Sequence, residues 1–202
     1  MINGINGWYF PQEVIDRANS NDDLLTLDFE LGGKCPLRCI YCYRSQDPRD
    51  QDKNLIDFNL WKKVIEDASK IGLKSVKLIG GGEITLEKHF FEAMEFIADK
   101  GIITVLFTSG LVIGDDELCM KIHGIDGRQF SKKMLDLGMS VFIKVDSFNE
   151  ELQDRLAGMK GFSKIRDKAI DILLDTGFNT YNPTRLGLEV NVSSYNYHEI
   201  MD

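Results

Sequence analysis

From Leu25 to Leu31 apolar and polar residues alternate, with Leu25, Leu27, Phe29 and Leu31 on one side and Thr26, Asp28 and Glu30 on the other. A period of two predicts a strand with one buried face, stopped by Gly32-Gly33. The period then changes. Phe58, Trp61, Val64, Ile65, Ala68 and Ile71 recur every three or four residues behind Asp57. That spacing predicts an amphipathic helix with Asp57 as its N-cap and Gly72 as its left-handed stop. The two patterns keep taking turns: a strand at Ser75 to Ile79, a helix on Phe90, Met94 and Ile97 closed by Gly101, and a strand at Ile102 to Phe107. A helix from Phe130 through Met134 to Leu137 follows, then a strand at Met139 to Val145, a helix on Ile165, Ala169, Ile172 and Leu173 ending near Gly177, and a strand at Leu186 to Val192. Strands separated by helices run parallel, because each crossover returns the chain to the same end of the sheet. The class is α/β, either layered or closing toward a barrel.

The longest interruption lies between Gly110 and Gln129, where Asp115-Asp116-Glu117 and Gly124-Ile125-Asp126-Gly127 predict a surface excursion with a short helix at Glu117 to Ile122. Residues 1–23 read as an N-terminal extension and residues 24–202 as a single core domain. Ser194 to Asp202 resembles the opening of another helix. A parallel barrel stopped after strand five leaves an edge strand exposed, so a truncated chain or a missing partner segment is expected.

Composition narrows the classes of function. The 202 residues are 43% hydrophobic and 28% charged, which is the balance of one ordinary globular domain and excludes disordered or fibrous readings. Lys and Arg number 24 against 32 Asp and Glu, a net charge of −8, so duplex nucleic acid is disfavoured as a partner. No apolar run approaches the roughly 18 residues of a membrane span. The start, Met1-Ile2-Asn3-Gly4, has neither basic residues nor a long apolar stretch, so no secretory signal is evident and a cytoplasmic location is expected. Four cysteines in such a chain are ligands or reactive groups more often than a disulfide framework.

Three of those cysteines, Cys35, Cys39 and Cys42, fall within eight residues directly after the first strand, spaced C-x-x-x-C-x-x-C. Three thiolates so placed can converge on one centre. A 4Fe–4S cluster normally takes four thiolates, so a three-cysteine loop leaves one iron open to a small molecule. The rival is a structural zinc site, and with it a non-catalytic metal-binding module acting through a partner. Tetrahedral zinc, however, needs a fourth nitrogen or sulfur ligand, and the histidines lie far away in sequence at His89, His123 and His198. Cys119 has no cysteine neighbour and reads as an isolated thiol. Polar groups also end every strand: Gly80-Gly81-Gly82-Glu83 after the second, Thr108-Ser109-Gly110 after the third, Lys144 and Asp146-Ser147 after the fourth, and Glu189 with Asn191 on the fifth. In parallel α/β proteins that end of the sheet is the binding face.

The segment Cys35-Pro36-Leu37-Arg38-Cys39-Ile40-Tyr41-Cys42 resembles the signature of the radical S-adenosylmethionine superfamily, C-x-x-x-C-x-aromatic-C after the first strand of a partial (βα)6 barrel. The resemblance implies a partial parallel barrel of that type. It implies a 4Fe–4S cluster on Cys35, Cys39 and Cys42, and S-adenosylmethionine chelated to the open iron, with Tyr41 beside the adenine. Reductive cleavage of the sulfonium to a 5′-deoxyadenosyl radical, which takes hydrogen from a substrate, is the implied activity, and a reductant such as flavodoxin or ferredoxin is an implied partner. Gly81, Gly82 and Glu83 are similar to the family's glycine-glycine-glutamate motif, which contacts the methionine amino group, although Ile84 stands where proline is usual. Thr108, Ser109, Asp146 and Asn191 become candidates for the ribose and methionine contacts. The stretch Gln153-Asp154-Arg155-Leu156-Ala157-Gly158-Met159-Lys160-Gly161-Phe162 is similar to a loop of the subgroup holding peptide-maturing enzymes and the molybdenum-cofactor cyclase. Gln153 and Ala157 replace that loop's usual histidine and arginine. A peptide or protein substrate is the expectation this carries.

Overall fold

The computed structural model describes residues 4–44 and 56–199. The order of elements is α1 (Gln12–Asn21), β1 (Thr26–Phe29), α2 (Phe58–Lys70), β2 (Ser75–Leu78), α3 (Phe90–Ala98), β3 (Ile103–Thr108), α4 (Leu111–Gly114), α5 (Asp116–His123), α6 (Gly127–Asp136), β4 (Ser140–Lys144), α7 (Glu150–Ala157), α8 (Phe162–Thr176) and β5 (Leu186–Glu189). The five strands form one sheet in sequence order, β1-β2-β3-β4-β5. Every neighbouring pair is parallel, with Thr26 opposite Ser75, Ser75 opposite Ile103, Val105 opposite Ser140 and Val141 opposite Leu186. All strands therefore end on the same side, and the loops that follow them share one rim.

Alternation along the strands separates two faces. Val76, Leu78, Leu106, Val141 and Ile143 point into the main core, where Trp61, Phe90, Met94, Phe130, Ile172 and Leu173 meet them from the helices. The other face carries Lys77, Phe107, Phe142, Lys144 and Glu189, which leaves it partly polar and free of covering helices. The Asp57 cap is present, its carboxylate accepting from the Asn59 and Leu60 amides. Both edges of the predicted strands are shorter than the alternation implied, since β1 stops at Phe29 and β5 at Glu189.

The segment after Gly110 departs from the surface excursion read in the sequence. Leu111, Val112 and Ile113 form α4, which is buried and packed against α8. Three consecutive apolar residues are costly to leave in water, and this turn is enclosed on more than one side, Leu111 packing in the cluster with Leu37 and Phe162 and Val112 and Ile113 in the main core. The predicted short helix is real, as α5, and α6 begins at a capping box between Asp126 and Gln129. Of the residues expected to open a last helix, Tyr197–Glu199 form a 3-10 turn, and 200–202 lie outside the described residues. No described helix is long and apolar enough to cross a membrane.

Ahead of β1, residues 5–9 cross the bare face of the sheet. Ile5 bridges Thr184 in parallel fashion, the Asn6 amide donates to the Thr184 carbonyl at 3.0 Å, and the Ser140 hydroxyl donates to the Asn6 carbonyl at 2.7 Å. Trp8 then lies against Phe107 and Phe142, with ring centroids 5.4 and 5.3 Å away. Residues 5–8 thus fill the lower part of the half-barrel.

Candidate functional site

The loop after β1 brings the three cysteines to the rim, and its anchor is the far end of α7. The amides of Arg38 and Ile40 donate to the carbonyls of Ala157 and Leu156 at 2.9 and 3.1 Å. Leu37 fills a small apolar cluster with Leu111, Ala157 and Phe162, against which Cys35 and Cys39 also pack. The stretch from Gln153 to Phe162 that the sequence singled out therefore supports the cysteine loop from beneath. Burial, the largest influence, raises the Cys39 thiol above the ordinary cysteine range. Its hydrogen bond with Tyr41 opposes this, while the nearby Cys42 and Asp146 add to it.

The glycine turn after β2 lies directly against this loop. The Glu83 amide donates to the Lys34 carbonyl at 2.8 Å. A Cβ on Gly82 would collide with that carbonyl and come within 2.8 Å of the Gly33 carbonyl carbon, so only glycine permits the approach. Two residues beyond the last cysteine complete the junction. The Tyr43 hydroxyl donates to Glu30 at 2.9 Å and accepts from the Gly81 amide at 3.0 Å. The Arg44 guanidinium donates to the carbonyls of Gly33 and Gly81. Sequence reading passed over Glu30, Tyr43 and Arg44. Glu30 is a polar residue of the first strand's alternation, but its partner lies 13 residues on and could not be read from a periodicity.

Glu83 is 3% exposed, and its carboxylate is fully engaged. One oxygen accepts from the hydroxyls of Thr85 and Thr108, each at 2.6 Å. The other accepts from the Ser109 amide at 2.8 Å and from the Ser109 hydroxyl. Thr108 and Ser109, predicted as candidate ligand contacts, are thus turned toward Glu83, where they fix its carboxylate.

A second cluster joins the ends of β4 and β5. The Tyr41 hydroxyl donates to Asp146, and burial together with that bond raises the Tyr41 phenol well above its ordinary value. The Asn191 amide donates to the other Asp146 oxygen at 3.0 Å. Lys144 holds its ammonium 3.3 Å from Asp146, 3.7 Å from Glu189 and 4.9 Å from the Tyr41 ring centroid. Behind Asp146, the Gln153 side-chain oxygen accepts from the amides of Asp146 and Ser147 and from the fully buried Arg166, at 2.9, 3.0 and 2.9 Å. Asp146, predicted as a ligand contact, is buried and occupied by Tyr41 and Asn191. Tyr41 and Asn191 face open space.

That space is a cavity of about 760 Å³ walled by Cys35, Cys39, Cys42, Gly82, Glu83 and Lys144 at its polar end and by Trp8, Ile79, Phe107 and Phe142 at the other. Beside it is a hollow of about 110 Å³ bounded by the same three cysteines and by Gly33, Arg44, Gly80, Gly81 and Gly82. The sequence-predicted cysteines and the glycine-glutamate turn therefore share one site. Among the described residues no three His, Cys, Asp or Glu side chains are placed to hold a single metal ion. A zinc centre takes all its ligands on one ion. An iron-sulfur cluster instead spreads its cysteines over different irons, and three thiols around a hollow fit that donor arrangement.

The sequence matches the Radical SAM superfamily over residues 29–195. Among curated proteins it is 29% identical over 137 residues to the PqqA peptide cyclase of Bradyrhizobium diazoefficiens, covering 67% of this chain and 32% of that protein. It is 26% identical over 156 residues to the probable GTP 3′,8-cyclase of Methanocaldococcus jannaschii, covering 75% and 47%. Among solved structures, native anSMEcpe with bound AdoMet and Kp18Cys peptide superposes with a TM-score of 0.62 at 18% identity, covering 88% of this chain and 46% of that one. The chain spans a third to a half of the length of these proteins.

Proposed function

The chain belongs to the radical S-adenosylmethionine superfamily, and on that premise we propose that it forms the catalytic core of an enzyme that modifies a peptide or protein. The observation that carries this reading is that Cys35, Cys39, Cys42 and Gly82 border two adjoining spaces, the large cavity that Glu83 also lines and the hollow that Gly81 also lines. The three thiols would hold a 4Fe–4S cluster, and S-adenosylmethionine would occupy the polar end of the cavity. When bound, these two cofactors supply a carbon radical able to remove a hydrogen atom from an unactivated C–H bond.

The chain's own residues divide the remaining work. Glu83, fixed by Thr108 and Ser109 beside Gly82 at the polar end of the cavity, offers a carboxylate charge to an ammonium group. Lys144 is the one cation among the described residues lining the cavity, and it offers its charge to a carboxylate. Tyr41 and Asn191 wall the space between, and Asp146 keeps both in position.

A peptide is favoured over a nucleoside triphosphate on electrostatic grounds. A triphosphate needs several cationic contacts, whereas this cavity presents Lys144 alone on a chain of net charge −8. One of the similar curated proteins is named a peptide cyclase, and a solved structure of the same fold holds a peptide. An electron donor such as flavodoxin or ferredoxin, and a reducing cytoplasmic setting, complete the proposal.

Anaerobically reconstituted protein is expected to bind about four irons and to release 5′-deoxyadenosine under a chemical reductant. Cys39→Ala should hold none of the cluster. Full iron in that variant, or a single zinc ion in place of iron in the parent, would discard the assignment.

A further inference from the structure

The apolar end of the cavity is built by a residue outside the matched family region, which begins at residue 29. Trp8 is 43% exposed although it touches Phe107, Phe142 and Lys77, and it forms part of the cavity wall. A large ring left open inside a concave site is characteristic of a contact surface for a ligand.

Its placement is rigid. Gly7 has φ +80, and a Cβ there would meet the Ile103 side chain at 2.6 Å, so the chain can lie flat on β3 only with glycine at this position. The Asn6 bonds to Thr184 and Ser140 hold the segment on both sides. The Lys77 ammonium sits 4.6 Å from the Trp8 ring centroid and 3.6 Å from Asp28, closing one face of the indole by a cation–π contact. Phe107 and Phe142 stack on each other with centroids 4.6 Å apart. Such a wall costs little entropy when a group docks on it.

The depth of this wall follows from the strands. Phe142 is the inward-facing position before Lys144, so the aromatic floor lies about 7 Å below the polar rim, at roughly 3.3 Å per residue. The same cavity thus presents polar groups at the rim and a largely apolar surface one layer down, where the Lys77 ammonium lies against Trp8 alone of the three rings.

We infer that Trp8, with Phe107 and Phe142, receives the apolar side chain of the peptide residue that is modified, and that Trp8 sets which side chains fit. Trp8 is then a specificity-determining residue, and the inference rests on the peptide reading of the function.

The test uses the reconstituted protein with S-adenosylmethionine bound and five peptides, Gly-Gly-X-Gly-Gly with X as Phe, Leu, Trp, Ser or Asp. Their binding is followed by tryptophan fluorescence, in which Trp61, 0% exposed, provides a constant background, and by saturation-transfer NMR, which also reads variants lacking Trp8. The parent is expected to prefer the Phe and Leu peptides over Ser and Asp by about tenfold or more, the range that apolar contacts supply. Trp8→Ala should erase that preference while S-adenosylmethionine affinity changes less than twofold. Trp8→Phe, which keeps a ring on the floor and covers the case that the alanine variant does not fold, should shift the preference toward the Trp peptide. A tenfold loss of S-adenosylmethionine affinity in Trp8→Ala would assign the floor to the cofactor and overturn the inference. Equal preference in the parent and both variants would overturn it as well, while leaving the peptide reading intact. If no peptide binds the parent, the peptide reading fails and the inference fails with it.

Discussion

The Gly81 amide donates to the hydroxyl of Tyr43 at 3.0 Å, joining the residue that follows the last cysteine to the middle of the glycine turn. Glu30 accepts a hydrogen bond from the same hydroxyl, so one side chain ties β1, the cysteine loop and the turn together. Removing that hydroxyl leaves the cysteines untouched but frees the turn. Tyr43→Phe should therefore retain full iron while losing about three- to tenfold in S-adenosylmethionine affinity, the worth of one hydrogen bond. Hydrogen exchange in the metal-free protein provides a second reading, with faster exchange expected at the Gly81 amide. Unchanged exchange and affinity would show that the contact has no positioning role.

Gln153 accepts three hydrogen bonds from buried donors, one of them the Arg166 guanidinium. Gln153→Leu takes the acceptor from the Asp146 and Ser147 amides, while Arg166 keeps the Ser147 carbonyl at 3.1 Å, and should lower stability by about 2–4 kcal/mol, since each buried donor stranded costs on the order of 1–3 kcal/mol. Gln153→Glu keeps an acceptor and places a carboxylate beside Arg166, so its loss should be less than half as large. Urea unfolding of the metal-free protein compares the two, and equal losses would count against the role given to the side-chain oxygen.

The fourth cysteine behaves differently from the other three. Cys119 is 0% exposed, and burial, assisted by Asp116, Asp126 and Asp115, pushes its thiol up to about 11. Thiolate is the reactive form and needs access, so alkylation of the metal-free protein at pH 8 should label the partly exposed Cys35, Cys39 and Cys42, Cys39 more slowly because burial raises its thiol, and spare Cys119 until the chain is unfolded. Cys119→Ser should keep its full iron content. Mass spectrometry of the labelled peptides and an iron assay decide both points.

His123 donates from Nε2 to the Thr85 carbonyl at 2.7 Å and packs among Phe90, Phe91 and Phe130. Burial lowers its pKa from the ordinary value of 6.5, the Thr85 bond opposes this, and Lys133 adds to the lowering. The unfolded chain therefore takes up the proton first as the pH falls. Stability from this group is complete above about pH 6.5, the unfolded value, and is lost as the pH drops from there to the folded value. Melting temperature should decline from pH 7 to pH 5.5, and His123→Phe should flatten that decline. An equal slope in the variant would place the effect elsewhere.

Much of the architecture was legible because it rests on local patterns. The alternation at Leu25 to Leu31, the Asp57 cap and the cysteine spacing each involve residues close in sequence, and all three reappear in the folded chain. Polar residues at the strand ends correctly marked the rim. What they could not reveal was direction: Thr108 and Ser109 bond Glu83, 25 and 26 residues away, and Asp146 bonds Tyr41 across 105. Burial of α4 was hidden because an apolar triplet has no period. Trp8 was hidden for another reason, since its neighbours on β3 and β4 arrive about a hundred residues later, and nothing in Asn6-Gly7-Trp8-Tyr9 points to them.

Threading of residues 5–8 beneath the sheet imposes an order on biosynthesis. Ile5 and Asn6 are synthesised well before Thr184 and cannot find it until that residue has been made. At roughly 5–20 residues per second the delay is about 10–35 s. Through that interval Phe107 and Phe142 are synthesised before their cover can settle, leaving a nascent β3–β4 pair with a greasy underside. A growing polypeptide of this kind exposes an apolar surface of the sort holdase chaperones bind until residues 5–8 dock on it.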